Sequence, residues 1–186
     1  VYIDCSIDSA FNDWIVMSWN PTYVSAAEAV RHVKSGDSLY LSSVASVPTI
    51  LIDALMERGR NGELEDVTIR HIHTSGHAEY AAPEFEGIFH TECFFIGDNL
   101  RSHVHAGYAD YIPICLSQIG ELYQDGYLKC DVAMIQVSPP DENGMVSLGP
   151  SVDVTISAVR RAKLVLAVVN KHVPHTLGDA LIPVER

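Results

Sequence analysis

The sequence predicts an α/β fold built on a mostly parallel sheet, and three observations carry that expectation. Strand-like and helix-like patterns alternate along the chain, the signature of helices packed on a parallel sheet. Leu164–Val169 is a continuous apolar run and Val132–Val137 nearly so, as befits strands buried on both faces. Between Leu39 and Gly59 a strand, a loop of small residues and a helix follow one another, the unit from which parallel sheets are assembled.

The elements are read in order. Residues 1–20 mix Asp, Ser and bulky apolars (Trp14, Ile15, Val16, Trp19) without clear periodicity. They are expected to form a lead-in segment with one short helix near Ala10–Met17, ahead of a single domain spanning 21–186. Ser25 and Glu28 form a capping box, predicting a helix from there to about Lys34, ended by Gly36. Leu39–Ser43 follows as a strand. Pro48 suits a first helical turn, and Ile50, Leu51, Ala54 and Leu55 share one helical face until Gly59 closes the element. Val67–His73 is a strand left through Thr74–His77, and Ala78–Gly87 is acidic and irregular. Phe94–Ile96 is expected as the next strand and Asn99–Ala106 as a helix ended by Gly107. A short extended piece at Tyr111–Ile114 precedes the helix Leu116–Tyr123.

The strand Val132–Val137 runs into Ser138-Pro139-Pro140-Asp141, where prolines force the chain out of the sheet. Asn143-Gly144 predicts a tight hairpin, because both residues tolerate positive φ. Met145–Leu148 returns, and Gly149-Pro150-Ser151 leads into a helix over Val152–Ala162. Asp153 in its first turn and Arg160, Arg161 and Lys163 at its end suit the helix dipole. No internal repeat or low-complexity segment appears.

Composition narrows the function. The chain has 186 residues, enough for one domain with a sizeable core. Twelve basic against twenty-four acidic residues give a net charge of −12, which argues against nucleic acid as the main partner and against an anionic membrane surface. No apolar run approaches the roughly 18–20 residues of a membrane span. Cys5, Cys93, Cys115 and Cys130 show no C-x-x-C spacing and are expected as reduced thiols. The chain begins with Val rather than Met, so a processed or excised piece of a longer protein is expected.

Missing motifs are informative as well. No two glycines stand two positions apart, which excludes G-x-G-x-x-G, and there is no Walker A loop, so nicotinamide enzymes and P-loop ATPases are disfavoured. Gly149-Pro-Ser151-Val-Asp153 fails the G-x-S-x-G pattern in its last position, leaving Ser151 as a helix cap rather than a nucleophile. His71, His73 and His77, with His103, His105, Glu92 and Cys93 nearby, are of the residue types that ligate metals. The spacing is unspecific and helical i, i+2 side chains diverge, so no metal is expected. The acidic segment Glu79–Glu92 reads as a solvated loop rather than a catalytic carboxylate pair. Ser43, Ala45 and Ser46 lie just ahead of a helix N-terminus, where amides can hold an anion or a polarised carbonyl oxygen. An ordinary strand-to-helix connection fits equally well.

Four segments together resemble a known family. SGDSLYLSSVASVPTILIDALMERG (Ser35–Gly59) resembles the first β-loop-α of class I coenzyme A transferases. DYIPICLSQIGELY (Asp110–Tyr123), DVAMIQVSPPDENGMVSLGPSVD (Asp131–Asp153) and VVNKHVPHTLGD (Val168–Asp179) resemble the amino-terminal half of the acetyl-CoA hydrolase/transferase family, which includes 4-hydroxybutyrate CoA-transferase. The resemblance covers Tyr23 to Asp179. It implies a three-layer open α/β fold and chemistry on acyl-CoA thioesters, in which a glutamate attacks the thioester and an acyl-glutamyl anhydride passes to a carboxylate or to water. It implies a coenzyme A thioester as substrate and no permanently bound cofactor.

In that family the nucleophile belongs to the carboxyl-terminal half. None of Glu79, Glu84, Glu86, Glu92 or Glu142 matches its motif, so no catalytic residue is expected here and the chain alone is expected to be inactive. Contact candidates are Ser43, Val44, Ala45 and Ser46 in the first loop, and Ser138, Pro140, Asp141, Asn143 and Gly144 in the hairpin. Gly149 and Ser151 join them at the helix start, with Gly76 and His77 as a weaker third group. The expected partners are an acyl-CoA, a small carboxylate and the carboxyl-terminal half of the same enzyme, in cytosol or mitochondrial matrix, with a homo-oligomer left open. Two other readings stay open: a non-catalytic CoA-binding or regulatory domain, and a sugar-phosphate isomerase-like enzyme, for which basic residues near both loops are sparse.

Overall fold

The structure, a computed structural model, describes residues 2–6 and 18–184, with side chains from Tyr23 onward. In chain order the strands are β1 (Tyr2–Ser6), β2 (Ser18–Thr22), β3 (Ser38–Leu41), β4 (Val67–His71), β5 (Phe89–Cys93), β6 (Ala109–Tyr111), β7 (Val132–Val137), β8 (Met145–Ser147), β9 (Leu164–Val169) and β10 (Leu181–Pro183). The helices are α1 (Ala26–Ala29), α2 (Thr49–Arg60), α3 (Arg101–Ala106), α4 (Leu116–Gln124) and α5 (Thr155–Arg161). Eight strands form one sheet in the order β2-β1-β9-β7-β3-β4-β5-β6, and β8 and β10 pair separately. From β9 to β6 every pairing is parallel, while β1 runs antiparallel to both β2 and β9.

Strand alternation sorts the apolar residues into two cores. On one face Leu39, Leu41, Ile69 and Met134 pack with Leu51, Leu55 and Met56 of α2. On the other, Tyr40, Ala133, Ile135 and Val165 pack with Ile119 and Tyr123 of α4 and with Ala158 and Val159 of α5. The result is three layers, helix–sheet–helix, with each fully buried Leu or Ile contributing about 1.5–3 kcal/mol. β3 to β6 step outward in sequence, whereas β7 returns to the other side of β3 and β9 lies beyond it. The strand order therefore reverses between β3 and β7.

Several expected boundaries move, each for a local reason. The helix capped by Ser25 is short: Ser25 Oγ accepts from the Glu28 amide, but α1 gives way to a 3-10 turn at Val30–His32. α2 continues through Gly59, which is buried within it. A Cβ there would lie 2.9 Å from the Phe89 ring, so this glycine allows close helix–sheet approach rather than ending the helix. The buried face of α2 is Leu51, Ile52, Leu55, Met56 and Gly59, which leaves Ile50 exposed. The strand expected at Phe94–Ile96 is β5, five residues earlier. Its polar residues are matched across the sheet, with Arg70 opposite Glu92 and ion-paired to it. α5 begins at Thr155, three residues later than expected. β10, which was not anticipated, pairs with β8. The helix expected at Ala10–Met17 lies outside the described residues.

Candidate functional site

The carboxyl ends of β3 and β7 lie side by side at the point where strand order reverses. In open α/β sheets ligands bind in the crevice outside such a switch point. The loop after β3, residues 42–48, is knotted onto itself and its neighbours. The Ser42 amide donates to the Met134 carbonyl (3.0 Å), the Ser42 hydroxyl to the Ser46 carbonyl, and the Ser46 amide to the Ser43 carbonyl (2.9 Å). Ser43 and Ser46 are buried, while Val44 and Ala45 face solvent. Val44 has φ +48°, a conformation that costs a β-branched residue about 1–2 kcal/mol. Its amide donates to the His73 carbonyl (2.8 Å), tying this loop to the one after β4. The Ala45 carbonyl accepts from Gln136 Nε2 (3.2 Å), which ties it to β7. α2 then starts without a side-chain cap, its first-turn amides at this same edge.

The hairpin after β7 forms the facing side. The Ser138 amide donates to the Ser147 carbonyl (2.9 Å) and the Asp141 amide to the Met145 carbonyl (2.8 Å). Gly144 takes φ +70° and Asn143 does not take a positive value, so the turn uses one left-handed residue rather than two. Asp141 Oδ1 accepts from the amides of Met145 (2.8 Å) and Asn143 (2.9 Å). The Met145 amide is the chief cause holding this carboxyl below its usual range. Asp141 is therefore a turn residue, while Pro140 and Asn143 stand on the surface.

A third loop completes this side, one that the candidate positions omitted. After β9, residues 170–177 fold back over the hairpin. Ser138 Oγ lies 3.0 Å from His175 Nδ1, and His175 Nε2 lies 3.6 Å from Asp141 Oδ2. Ser147 Oγ accepts from the amides of Gly149 and Thr176 (3.0 Å each), and Thr176 Oγ1 donates to the Gly149 carbonyl (2.9 Å). Gly149 has φ +65°, and a Cβ on it would sit 2.5 Å from Val173 Cγ1. The sequence signal for this loop was the Asn170–Pro174 stretch leaving a buried strand, the same strand-exit chemistry that marked the hairpin.

Ser151 is buried but does not cap α5. The N-cap residue is Val154, which makes no side-chain cap bond; Asp153 before it, at φ +23°, has its Oδ1 accepting from the Thr155 amide (2.9 Å), the Thr155 hydroxyl (3.0 Å) and the Tyr40 hydroxyl (3.3 Å). Burial, reinforced by the Asp153 charge, pushes the Tyr40 hydroxyl far above its ordinary pKa, so it serves as a hydrogen-bonding group only.

Gly76 and His77 are exposed on the loop after β4, which touches the first loop through a bridge between Val44 and Thr74. A groove of about 450 Å³ lies between this loop and the one after β5. A cavity of about 670 Å³ opens at the opposite, amino edge of the sheet among Asp37, Arg70, Lys129, Arg161 and Lys163. None of the candidate positions lines it. Three of the glutamates are ion-paired, Glu79 and Glu84 with Arg60 and Glu92 with Arg70. His71 is buried with Nε2 3.2 Å from the Tyr80 hydroxyl, and burial lowers its pKa to about 4, making it a neutral structural imidazole. Among the described residues no three potential metal ligands cluster, and Cys93, Cys115 and Cys130 are free thiols. At this edge the hydroxyls of Ser42, Ser43, Ser46, Ser138 and Ser147 are buried, and the exposed positions of the two facing loops include Val44, Ala45, Pro140 and Asn143.

Comparison with known proteins gives this architecture a family context. The acetyl-CoA hydrolase/transferase N-terminal domain matches residues 16–186. A succinyl-CoA:acetate/propanoyl-CoA:succinate CoA transferase from Fasciola hepatica is 40% identical over 155 residues, covering 83% of this chain and 32% of that protein. A 4-hydroxybutyrate coenzyme A transferase from Clostridium kluyveri is 35% identical over 172 residues, covering 90% and 40% respectively. Among solved structures, 4-hydroxybutyrate CoA-transferase from Porphyromonas gingivalis aligns with a TM-score of 0.70 at 30% identity, over 87% of this chain and 36% of that one. RipA from Yersinia pestis aligns with a TM-score of 0.80 at 25% identity, over 87% and 39%. The chain thus spans about a third to two-fifths of the length of these relatives.

Proposed function

We propose, from the premise that this chain belongs to the acetyl-CoA hydrolase/transferase family through its amino-terminal domain, that it forms half of an enzyme moving coenzyme A between acyl-CoA and a small carboxylate. The observation carrying this reading is the crevice at the β3–β7 switch point, where loops from β3, β7 and β9 meet in a chain 35–40% identical to CoA transferases. In this reading the crevice walls bind the thioester and orient its carbonyl. A glutamate outside this chain attacks that carbonyl, expels CoA thiolate and becomes an acyl-glutamyl anhydride. The thiolate returns to the glutamyl carbonyl, freeing the first carboxylate and leaving a glutamyl–CoA thioester, from which a second carboxylate takes up CoA by the reverse steps. Water in place of that carboxylate gives hydrolysis. Splitting one displacement into several lowers each barrier, and amide donors offset the charge on each tetrahedral oxygen.

The reading accounts for the chemistry at the edge. Backbone amides at a helix start suit a polarised carbonyl, and in this reading an attacking carboxylate is not required of this half. The sugar-phosphate and non-catalytic alternatives are not favoured by the curated relatives named above, which are CoA transferases. To test it, the 186-residue chain and a longer product of the same gene are each incubated with acetyl-CoA and labelled succinate. Label should enter succinyl-CoA with the longer product only. Borohydride reduction during turnover should fix a reduced glutamyl residue beyond Arg186. Full exchange by the 186-residue chain, or a longer product that binds no CoA, refutes the assignment.

A further inference from the structure

We infer that the cavity at the amino edge of the sheet is a binding site for a small, multiply charged anion, a phosphate ester or a polycarboxylate. The inference does not depend on the reading above, since it rests on charges at the other end of the strands. The cavity of about 670 Å³ is within the range of small-molecule sites. β3 runs from this cavity to the crevice, and its four residues put the two openings about 13 Å apart at about 3.3 Å per residue.

Charge sets this cavity apart. The chain carries −12 overall, yet four of its twelve Lys and Arg residues, Arg70, Lys129, Arg161 and Lys163, line this one space. Two of the four are engaged. Lys163 Nζ lies 2.7 Å from Asp131 Oδ1, and Arg70 is ion-paired to Glu92 and donates to Ser38 Oγ. The two acids of the lining are engaged as well: Asp131 Oδ2 accepts from the Ser38 amide (2.9 Å) and Asp37 Oδ2 from the Lys34 amide (2.7 Å). That leaves the side chains of Lys129 and Arg161 without an ion pair or hydrogen bond among the described residues.

Surface cations usually reach into solvent and hold nothing, but these two stand on anchored backbone. The Ser38 hydroxyl donates to the Lys129 carbonyl (3.1 Å), which fixes where that lysine leaves the chain. Arg161 is turned back over the loop after α4, where a Cβ on Gly126 would lie 3.4 Å from its Nη2. An ammonium and a guanidinium held in this way suit phosphate or carboxylate oxygens carrying more than one charge. Tyr127, 78% exposed on the same loop, offers a ring to the body of the ligand. A second observation comes from beneath. The Tyr123 hydroxyl is buried with no hydrogen-bond partner, and the groups whose charge bears on it include Cys130 and Arg70 of the cavity floor. Buried polar groups are nearly always paired, so the fold leaves a donor idle under the place where an anion would sit.

The test uses the full-length protein with CoA in excess, so that phosphate-binding surfaces elsewhere are already filled. Radiolabelled pyrophosphate and citrate are measured separately by equilibrium dialysis at equal ionic strength. At least one should bind, with an affinity that falls as sodium chloride is raised. Pyrophosphate alone assigns a phosphate ester, citrate alone a polycarboxylate, and both a site open to either class. Arg161→Gln and Lys129→Gln should each weaken binding about tenfold, the size of one charge-assisted hydrogen bond. Arg160→Gln, an exposed cation of the same helix outside the cavity, should change nothing. All three side chains are exposed, so folding is kept, and an unchanged melting temperature checks it. Binding of neither anion, or binding that survives both Arg161→Gln and Lys129→Gln, overturns the site.

Discussion

Gly149 and Gly144 form a natural pair for testing how the hairpin and the third loop are joined. Both have left-handed backbones, φ +65° and φ +70°. They differ in surroundings: a Cβ on Gly144 meets nothing within 4 Å, whereas one on Gly149 would lie 2.5 Å from Val173 Cγ1 and 3.4 Å from the Pro174 carbonyl. Alanine in the left-handed region costs about 1–2 kcal/mol at either site. Overpacking adds about 1–3 kcal/mol at Gly149 alone, because Val173 is buried and its loop must move outward. Gly144→Ala should therefore lose about 1 kcal/mol and Gly149→Ala about 3 kcal/mol. Urea denaturation followed by far-UV circular dichroism reads both, with an unchanged slope and shifted midpoint. Equal losses for the two variants would show that Val173 does not sit against Gly149, and the account of the third loop as part of the site wall would fail with it.

Further expectations follow from neighbouring contacts. Ser147→Ala removes the one hydroxyl that serves both the Gly149 and Thr176 amides; the Thr176 amide keeps the Pro174 carbonyl (3.0 Å) while the Gly149 amide is left unpaired, which should cost about 1–3 kcal/mol, and amide exchange that quickens at Gly149 more than at Thr176 is the measurement. On α2, Leu51→Ala should cost about 2–5 kcal/mol but Ile50→Ala less than about 0.5, and a reversed order would restore the helical face read from sequence. His71 has its folded pKa lowered to about 4 from 6.5, so the unfolded chain binds its proton first as pH falls. Its effect is thus absent above pH 6.5 and grows as a loss of stability down to pH 4, reaching about 3 kcal/mol, so stability rises with pH across that window. His71→Gln should flatten the slope between those values, and an unaltered slope in the variant would assign the effect elsewhere.

The parallel core was legible because its signals are local and redundant. Val132–Val137 and Leu164–Val169 have apolar lengths set by the sheet's thickness of cover, and both match β7 and β9 to the residue. What escaped depends on partners distant in sequence. β5 carries His90 and Glu92, polar residues that suit a strand only because Arg70 and Asp110 stand across from them, so the aromatic Phe94–Ile96 drew the reading five residues late. Gly59 looked like a helix stop because its reason lies in the ring of Phe89, thirty residues on. Helix caps misled for a similar cause. Ser151 has the right chemistry and position, but it is Asp153 that bonds Tyr40 and Thr155, and the helix begins after it.

The site divides the same way, and the division bears on its chemistry. Both loops flanking the switch point were found from their own residues, because prolines, glycines and small polar residues announce a strand exit wherever it occurs. The loop after β9 announces itself less, yet it supplies His175 and Thr176 and fastens the hairpin from outside. Its contacts make Ser138, Ser147 and Asp141 fixed structural groups, since each is already hydrogen-bonded within the hairpin or to this loop. A wall whose reactive-looking side chains are spent on holding its shape is suited to orienting a substrate rather than attacking it. That division of labour agrees with the proposed reading, in which the nucleophile of acyl transfer comes from another part of the protein and this chain, spanning two-fifths or less of its curated relatives, supplies an orienting wall.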